Sequence, residues 1–297
     1  MDPMADGAMA EQKARAAAWF EQLRDRIIAA VETLEEGPAA GADGIAPGRF
    51  ALRRTRRHAP EGEDAGGGTM ALLRGGRVVE KMGIGVSTVH GRLGAAAQAA
   101  MAARVPGVAE DARFWASGIS LVCHPRNPHV PAVHLNTRMF WTPSAWWFGG
   151  GTDLNPAIEY PEDTAHFHAT LRAALAPWPG EYDRQKAWAD DYFFIPHRGR
   201  ARGVGGIFLD DRNSGDWEAD FALIRAIGEA FLPAWLPLAQ ARAAQPWDEA
   251  DRTRQLVHRG LYAEFNLVWD RGTKFGLASG HDAEAVLMSL PPLAMWP

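Results

Sequence analysis

Between Cys123 and Phe140 the chain reads CHPRNPHVPAVHLNTRMF, which sets His124, His129 and His134 beside Arg126 and Arg138 among three prolines. Imidazole changes charge near neutral pH and guanidinium grips carboxylates at two points, so the stretch carries groups for proton transfer and anion binding. In a strand, successive side chains point to opposite faces. Ser120, Val122 and His124 would then share one face of a first strand, and His134, Asn136 and Arg138 one face of a second. If the two strands pair, these polar groups lie together, opposite Ile119, Leu121, Cys123, Val133, Leu135, Thr137 and Met139. A solvent-facing side of an antiparallel sheet is also polar. Such faces usually carry Lys and Glu, and neither type occurs from Phe114 to Trp141.

Three other segments carry chemistry. WWFGGGTDLNP (Trp146–Pro156) reads as a glycine loop that lets backbone approach a ligand, with Asp153 at a tight turn or capping the next element. It is no phosphate loop, since it lacks the following Lys and Ser/Thr. His166 and His168 fall in a helical pattern and point in different directions, while His197 sits beside Arg198, Arg200 and Arg202 at a helix-to-strand joint. A lone histidine at either place commonly caps or faces solvent, and together with His124 and His134 these residues could instead form a nitrogen-rich metal site. In RGLYAEFNLVWDRGTKFGLASG, alternation groups Tyr262, Glu264, Asn266, Val268 and Asp270, with Asp270 and Arg271 at a turn.

The elements that must position these groups follow from periodicity. Apolar residues at Phe20, Leu23, Ile27, Val31 and Leu34 predict an amphipathic helix from Glu11 to Glu36, stopped by Gly37 and Pro38. Two extended runs joined by Gly75 and Gly76 predict a hairpin. Further strands are expected at Phe114–His124, Ala132–Trp141, Gly205–Asp210, Leu261–Trp269 and Lys274–Ala278. Helices are expected at Ala95–Ala103, Glu162–Ala176, Arg184–Phe194, Trp217–Ala244 and Trp247–Arg259. This mixture predicts an α+β fold: residues 1–36 form a helix packed on a single domain, 37–297, built on a mainly antiparallel sheet.

Composition narrows the class. With 297 residues, 47% hydrophobic, 23% charged and a net charge of −5, the sequence is that of a soluble globular protein without the basic excess of nucleic-acid binders. No uninterrupted apolar run approaches the roughly 18 residues of a membrane span, and no secretory signal pattern opens the chain, so a cytoplasmic protein without stable membrane insertion is expected. The single cysteine, Cys123, excludes an internal disulfide and an all-cysteine metal cage. Twelve tryptophans suit either a bulky core or a broad pocket.

Taken in order, GISLVCHPRNPHVPAVHLNTRMF, WWFGGGTDLNP, GVGGIFLDD, EFNLVWDRGTKFGL and LMSLPP resemble oxygen-dependent coproporphyrinogen III oxidase over most of the chain. The resemblance implies O2-dependent conversion of two propionates of coproporphyrinogen III to vinyl groups, with no flavin, haem or nicotinamide. It implies a large antiparallel sheet flanked by helices on both faces. It assigns substrate binding to Ser120, Asn136, Thr137 and Arg138, and proton donation to His134. It links Asp153, Arg202, Asp270 and Arg271 to the macrocycle and its propionates, with Asp270 or Asp153 at a pyrrole N–H. A divalent metal, often manganese, is implied at His124, His134, His168 and His197, although the family is also described as working without one. A homodimer is implied, its contact drawn from Gln240 through Ser279. Where relatives carry Gly-Gly-Arg, this sequence has Gly280, His281 and Asp282; Gly280 keeps its expected place in the substrate set, but the arginine is missing. That departure leaves a tetrapyrrole carrier without turnover as the alternative.

Overall fold

The computed structural model describes residues 9–58, 64–278 and 282–297. In chain order the strands are β1 (Ala51–His58), β2 (Asp64–Arg74), β3 (Val79–Arg92), β4 (Arg113–Pro125), β5 (Ala132–Thr142), β6 (Ala145–Asn155), β7 (Phe194–Ile195), β8 (Arg200–Ala201) and β9 (Gly206–Arg212). Among the described residues, seven of them form one antiparallel sheet in the order β1-β2-β3-β4-β5-β6-β9, and β7 pairs with β8 apart from it. The helices are α1 (Ala10–Glu35), α2 (Ala95–Ala102), α3 (Pro161–Ala174), α4 (Glu181–Tyr192), α5 (Trp217–Arg242), α6 (Glu249–Glu264), α7 (Arg271–Ala278) and the short α8 (Ala283–Val286). The α+β fold expected from the sequence is the fold found.

One face of the sheet is a conventional core. Leu73, Ile84, Leu121, Val133, Leu135, Leu154 and Leu209 point toward α1 and α5 and are 0% exposed. The apolar stripe of α1 meets them through Phe20, Leu23, Ile27 and Val31, so the helix shares the core of the sheet. At its end Glu35 is buried and accepts the amides of Gly48, Arg77, Val78 and Val79 at 2.6–3.1 Å, which fastens α1 to the β2–β3 turn. Four donors offset the cost of burying that carboxylate.

Helix α5 is long and apolar enough to cross a membrane by composition, with a mean hydropathy of 1.4. Its Leu223, Ile224, Ile227, Phe231 and Trp235 are instead buried in the core. Isolated charges at Asp220, Arg225 and Glu229 break its apolar residues into short runs. Pro237 has no N–H to give the carbonyl of Pro233 four residues earlier, and His166 Nε2 supplies the missing bond at 3.1 Å.

Two expected assignments are corrected. Trp146–Asn155 is strand rather than glycine loop, since β6 pairs along its length with β5 and also with β9. Leu261–Trp269 and Lys274–Ala278 are helical rather than extended: α6 runs on into a π-helical turn at Phe265–Trp269, and α7 follows. Tyr262, Ala263, Phe265 and Asn266 are buried while Leu267, Val268 and Trp269 are exposed, a helical arc and not an alternation.

Candidate active site on the glycine-floored face of the sheet

Across β4 and β5, Ser120 is the partner of Asn136, Val122 of His134 and Gly118 of Arg138. Directly opposed residues project to the same side. Ser120, His134, Asn136 and Arg138 therefore share a face, as alternation predicts. β6 adds Asp153 opposite His134, Gly151 opposite Asn136 and Gly149 opposite Arg138, while β3 adds Gly83 and Gly85 opposite Val122 and Ser120. Ser120 is exposed and Asn136 half-buried on this glycine floor. Two neighbouring glycines of β6, Gly149 on the floor and Gly150 on the core side, are required by what surrounds them. A Cβ on Gly149 would lie 2.7 Å from Asp210 Oδ1 and 3.1 Å from Arg138 Nη2, so its absence makes room for that ion pair. Gly150 has φ 154°, and a Cβ there would sit 2.4 Å from the carbonyl oxygen of Asn136.

At one end of the floor stands His134, with Nδ1 2.9 Å from Asp153 Oδ1. Asp153 also accepts Arg202 Nη2 at 2.7 Å on Oδ1, and Arg202 Nε and Asn155 Nδ2, each at 2.9 Å, on Oδ2. Arg202 lies 4.2–4.7 Å from the rings of Phe193, Tyr262 and Phe265. Burial alone would raise the Asp153 carboxyl, but the Arg202 charge and the bond from His134 hold it well below the usual carboxylate range. An ionised Asp153 can only accept, so Nδ1 of His134 carries the proton and Nε2 is left for chemistry.

At the other end Arg138 Nη2 donates to Asp210 Oδ1 at 2.7 Å. Tyr192, the last residue of α4, stacks on Phe208 with centroids 4.4 Å apart, and Phe208 is the β9 partner of Gly151. The Tyr192 hydroxyl donates to Asp270 Oδ1 at 2.9 Å, and the Thr273 amide donates to Oδ2 at 2.6 Å, capping α7. Arg271 lies 5.0 Å from the Tyr192 ring. Asp270 and Arg271 thus stand on the same side of the sheet as Asn136 and Arg138, reached through Tyr192 and Phe208 of β9.

Several expected site residues stand elsewhere. Thr137 is 0% exposed and points into the core face, which leaves only its backbone to the site. Arg202 and Asp153, at 2% and 1% exposed, lie on the same face as His134 but are sealed at its end, Arg202 under the rings of Phe193, Tyr262 and Phe265, with their charges turned on each other rather than on the floor. Gly280 lies outside the described residues. Sequence reasoning missed Asp210, Asn155 and Tyr192. The acidic pair at the end of GVGGIFLDD hinted at Asp210; nothing local marked Tyr192.

The implied metal set does not converge. His168 is bound on both ring nitrogens, Nδ1 by the Tyr182 hydroxyl at 2.8 Å and Nε2 by the Val204 carbonyl at 3.0 Å, on a helix that packs against α5. His197 accepts Trp269 Nε1 at Nδ1 and meets Glu264 at Nε2, both at 2.8 Å. His124 holds the Ser289 carbonyl at 2.8 Å, and burial pushes its imidazole down to about 3. Among the described residues no group of three or more His, Cys, Asp or Glu could hold a metal ion. With the ring nitrogens of His168 and His197 already committed, the four histidines do not fit one metal.

Fold and face together define an α+β protein whose glycine-floored sheet gathers imidazole, guanidinium and amide groups on one side. Residues 15–297 match the family model of coproporphyrinogen III oxidase, and the chain belongs to that family. Relatives named oxygen-dependent coproporphyrinogen-III oxidase from two strains of Rickettsia bellii, RML369-C and OSU 85-389, are each 43% identical over 279 residues, covering 94% of this chain and 96% of the relative.

Proposed function

We propose that this chain is an oxygen-dependent coproporphyrinogen III oxidase, converting two propionate arms of coproporphyrinogen III to vinyl groups and yielding protoporphyrinogen IX. Each arm, –CH2–CH2–COO−, becomes –CH=CH2 with release of CO2, one proton and two electrons. O2 takes up the electrons and, with protons, leaves as water. The porphyrinogen is itself electron-rich, so the protein's work is positioning, proton handling and exclusion of water.

One observation carries this reading: Ser120, His134, Asn136 and Arg138 project from one sheet face, with Asp270 held by Tyr192 on the same side. His134 and Arg138 are four strand residues apart, about 13 Å, a span suited to a flat macrocycle with acidic arms. Arg138 holds a propionate in exchange for part of its bond to Asp210. Ser120 and Asn136 supply neutral hydrogen bonds at the floor. His134 exchanges a proton with the substrate at Nε2, its ring oriented by Asp153, which Arg202 keeps ionised. All four hydrogen bonds on Asp153 are internal, so the carboxylate for the pyrrole N–H is Asp270. No step is routed through a metal.

The enzyme acts in the cytoplasm as a homodimer in which a second copy covers Leu267, Val268, Trp269 and Leu277, which are 39–50% exposed and fall within Gln240–Ser279. An exposed apolar group of this kind suits an interface. Sedimentation at micromolar concentration gives a dimer; a monomer there removes this part of the reading. The reaction is tested by incubating the protein with coproporphyrinogen III in air and measuring CO2 and protoporphyrinogen. Tight binding with no CO2 would make the chain a carrier instead.

A further inference from the structure

Tyr192 belongs to none of the residue sets described by the motifs, yet its ring and its hydroxyl are both held. Its ring stacks on Phe208 at 4.4 Å and 14°, and meets Phe193 edge-on at 5.1 Å and Phe265 at 6.1 Å. These contacts fix where the hydroxyl points. It donates to Asp270 Oδ1 at 2.9 Å while the Thr273 amide approaches Oδ2 at 2.6 Å. The carboxylate is therefore gripped on both oxygens from two different helices, α4 and α7. Burial and the nearby Asp270 push the Tyr192 hydroxyl up to about 12, so it keeps its proton at neutral pH and remains a donor. Other charged or titratable groups felt here are Arg271 on α7, Arg202 before β9 and Tyr262 on α6.

We propose that Tyr192 is a positioning residue for the reaction: its hydroxyl turns the Asp270 carboxylate so that a remaining lone pair faces a pyrrole N–H of the bound tetrapyrrole. The inference rests on the reading of Asp270 given above. Tyr192 neither gains nor loses a proton. A carboxylate held at one oxygen by the α7 amide can still turn its other oxygen, and the hydroxyl from α4 restrains that second oxygen. Positioning of this kind acts on the oriented complex more than on affinity.

Tyr192→Phe keeps the ring stack and removes only the hydroxyl. With coproporphyrinogen III in air, loss of one hydrogen bond to a charged group lowers kcat about tenfold, with KM within about twofold and an unchanged urea midpoint. Asp270→Asn lowers kcat further, and Tyr192→Phe added to Asp270→Asn changes it by less than about twofold, because the two act as a unit. Wild-type kcat in Tyr192→Phe, or a full tenfold loss still seen on the Asp270→Asn background, overturns the inference while leaving the role of Asp270 intact. Wild-type turnover in Asp270→Asn itself removes the reading of Asp270, and the inference with it.

Discussion

The two faces of the same sheet are held by different physics. Behind it, β3 to β6 present Ile84, Leu121, Leu135 and Leu154 to α1 and α5, and stability there is a matter of filled volume. In front, the same strands present Gly85, Ser120, Asn136 and Gly151, and apart from an aromatic cluster of Phe193, Phe208 and Phe265 the polar groups are ordered by directed bonds: Arg202 with Asp153 and His134, Tyr192 with Asp270, Arg138 with Asp210. A packed face tolerates loss of one contact by partial collapse. A face held by buried charges does not, since removing one partner strands the other.

The sharpest break in this comparison is Arg202→Met, which leaves Asp153 buried and unpaired. It costs about 3–5 kcal/mol of stability and lowers turnover as His134 loses its fixed partner, both measurable by urea unfolding and a CO2 assay. Leu135→Ala, directly behind the floor, costs about 2–5 kcal/mol through a cavity. In the fraction that stays folded, its KM remains within about twofold of wild type. If the folded fraction of Leu135→Ala lost as much turnover as Arg202→Met, the two faces would not be separable. Next comes Arg138→Ala: an exchangeable carboxylate partner is worth about 1.5–3 kcal/mol, so KM for coproporphyrinogen III rises roughly ten- to a hundredfold with stability little changed.

Acid acts through the helix over the front face. Burial pushes His258 of α6 down to about 4, against about 6.5 for a free imidazole. The unfolded chain binds a proton in that window and the folded one does not, so stability is full above about pH 6.5 and is lost as pH falls toward about 4. Asp153, depressed by Arg202 after burial's opposing effect, adds loss in the same direction at lower pH. Urea midpoints between pH 6.5 and 4 show the decline, and His258→Gln, which cannot take the proton, removes its share of it, leaving the part due to His124, whose imidazole burial pushes down to about 3.

What could be read in advance follows from the range of the forces involved. The polar face of β4 and β5 was legible because a period of two needs only the strand and its register, and the register was confirmed residue by residue. The strand through Gly149, Gly150 and Gly151 was not, since glycine weakens strands locally; it is strand here because neighbouring backbone and the Arg138–Asp210 pair need the space. YAEFNLVW alternates well enough to suggest a strand, yet burial of Tyr262, Phe265 and Asn266 against the front face makes it helical. A short apolar run cannot settle that choice by itself. The histidines mislead for another reason: His129 and His166 serve carbonyls of Pro246 and Pro233, bonds to distant chain that no spacing rule foresees.

The finest test of the two-face division compares neighbouring hydroxyls. Ser120 is exposed on the floor, opposite Asn136, while Thr137, one residue further along β5, is fully buried on the core side with its Oγ1 unpartnered. Ser120→Ala removes a neutral hydrogen bond to substrate and raises KM about two- to tenfold, with an unchanged urea midpoint. Thr137→Val removes a buried hydroxyl that has no partner to lose, so stability holds or rises by up to about 1 kcal/mol and KM does not move. A KM increase in Thr137→Val matching that of Ser120→Ala would mean that the Thr137 side chain reaches the substrate. The back of β5 would then have to open when the tetrapyrrole binds.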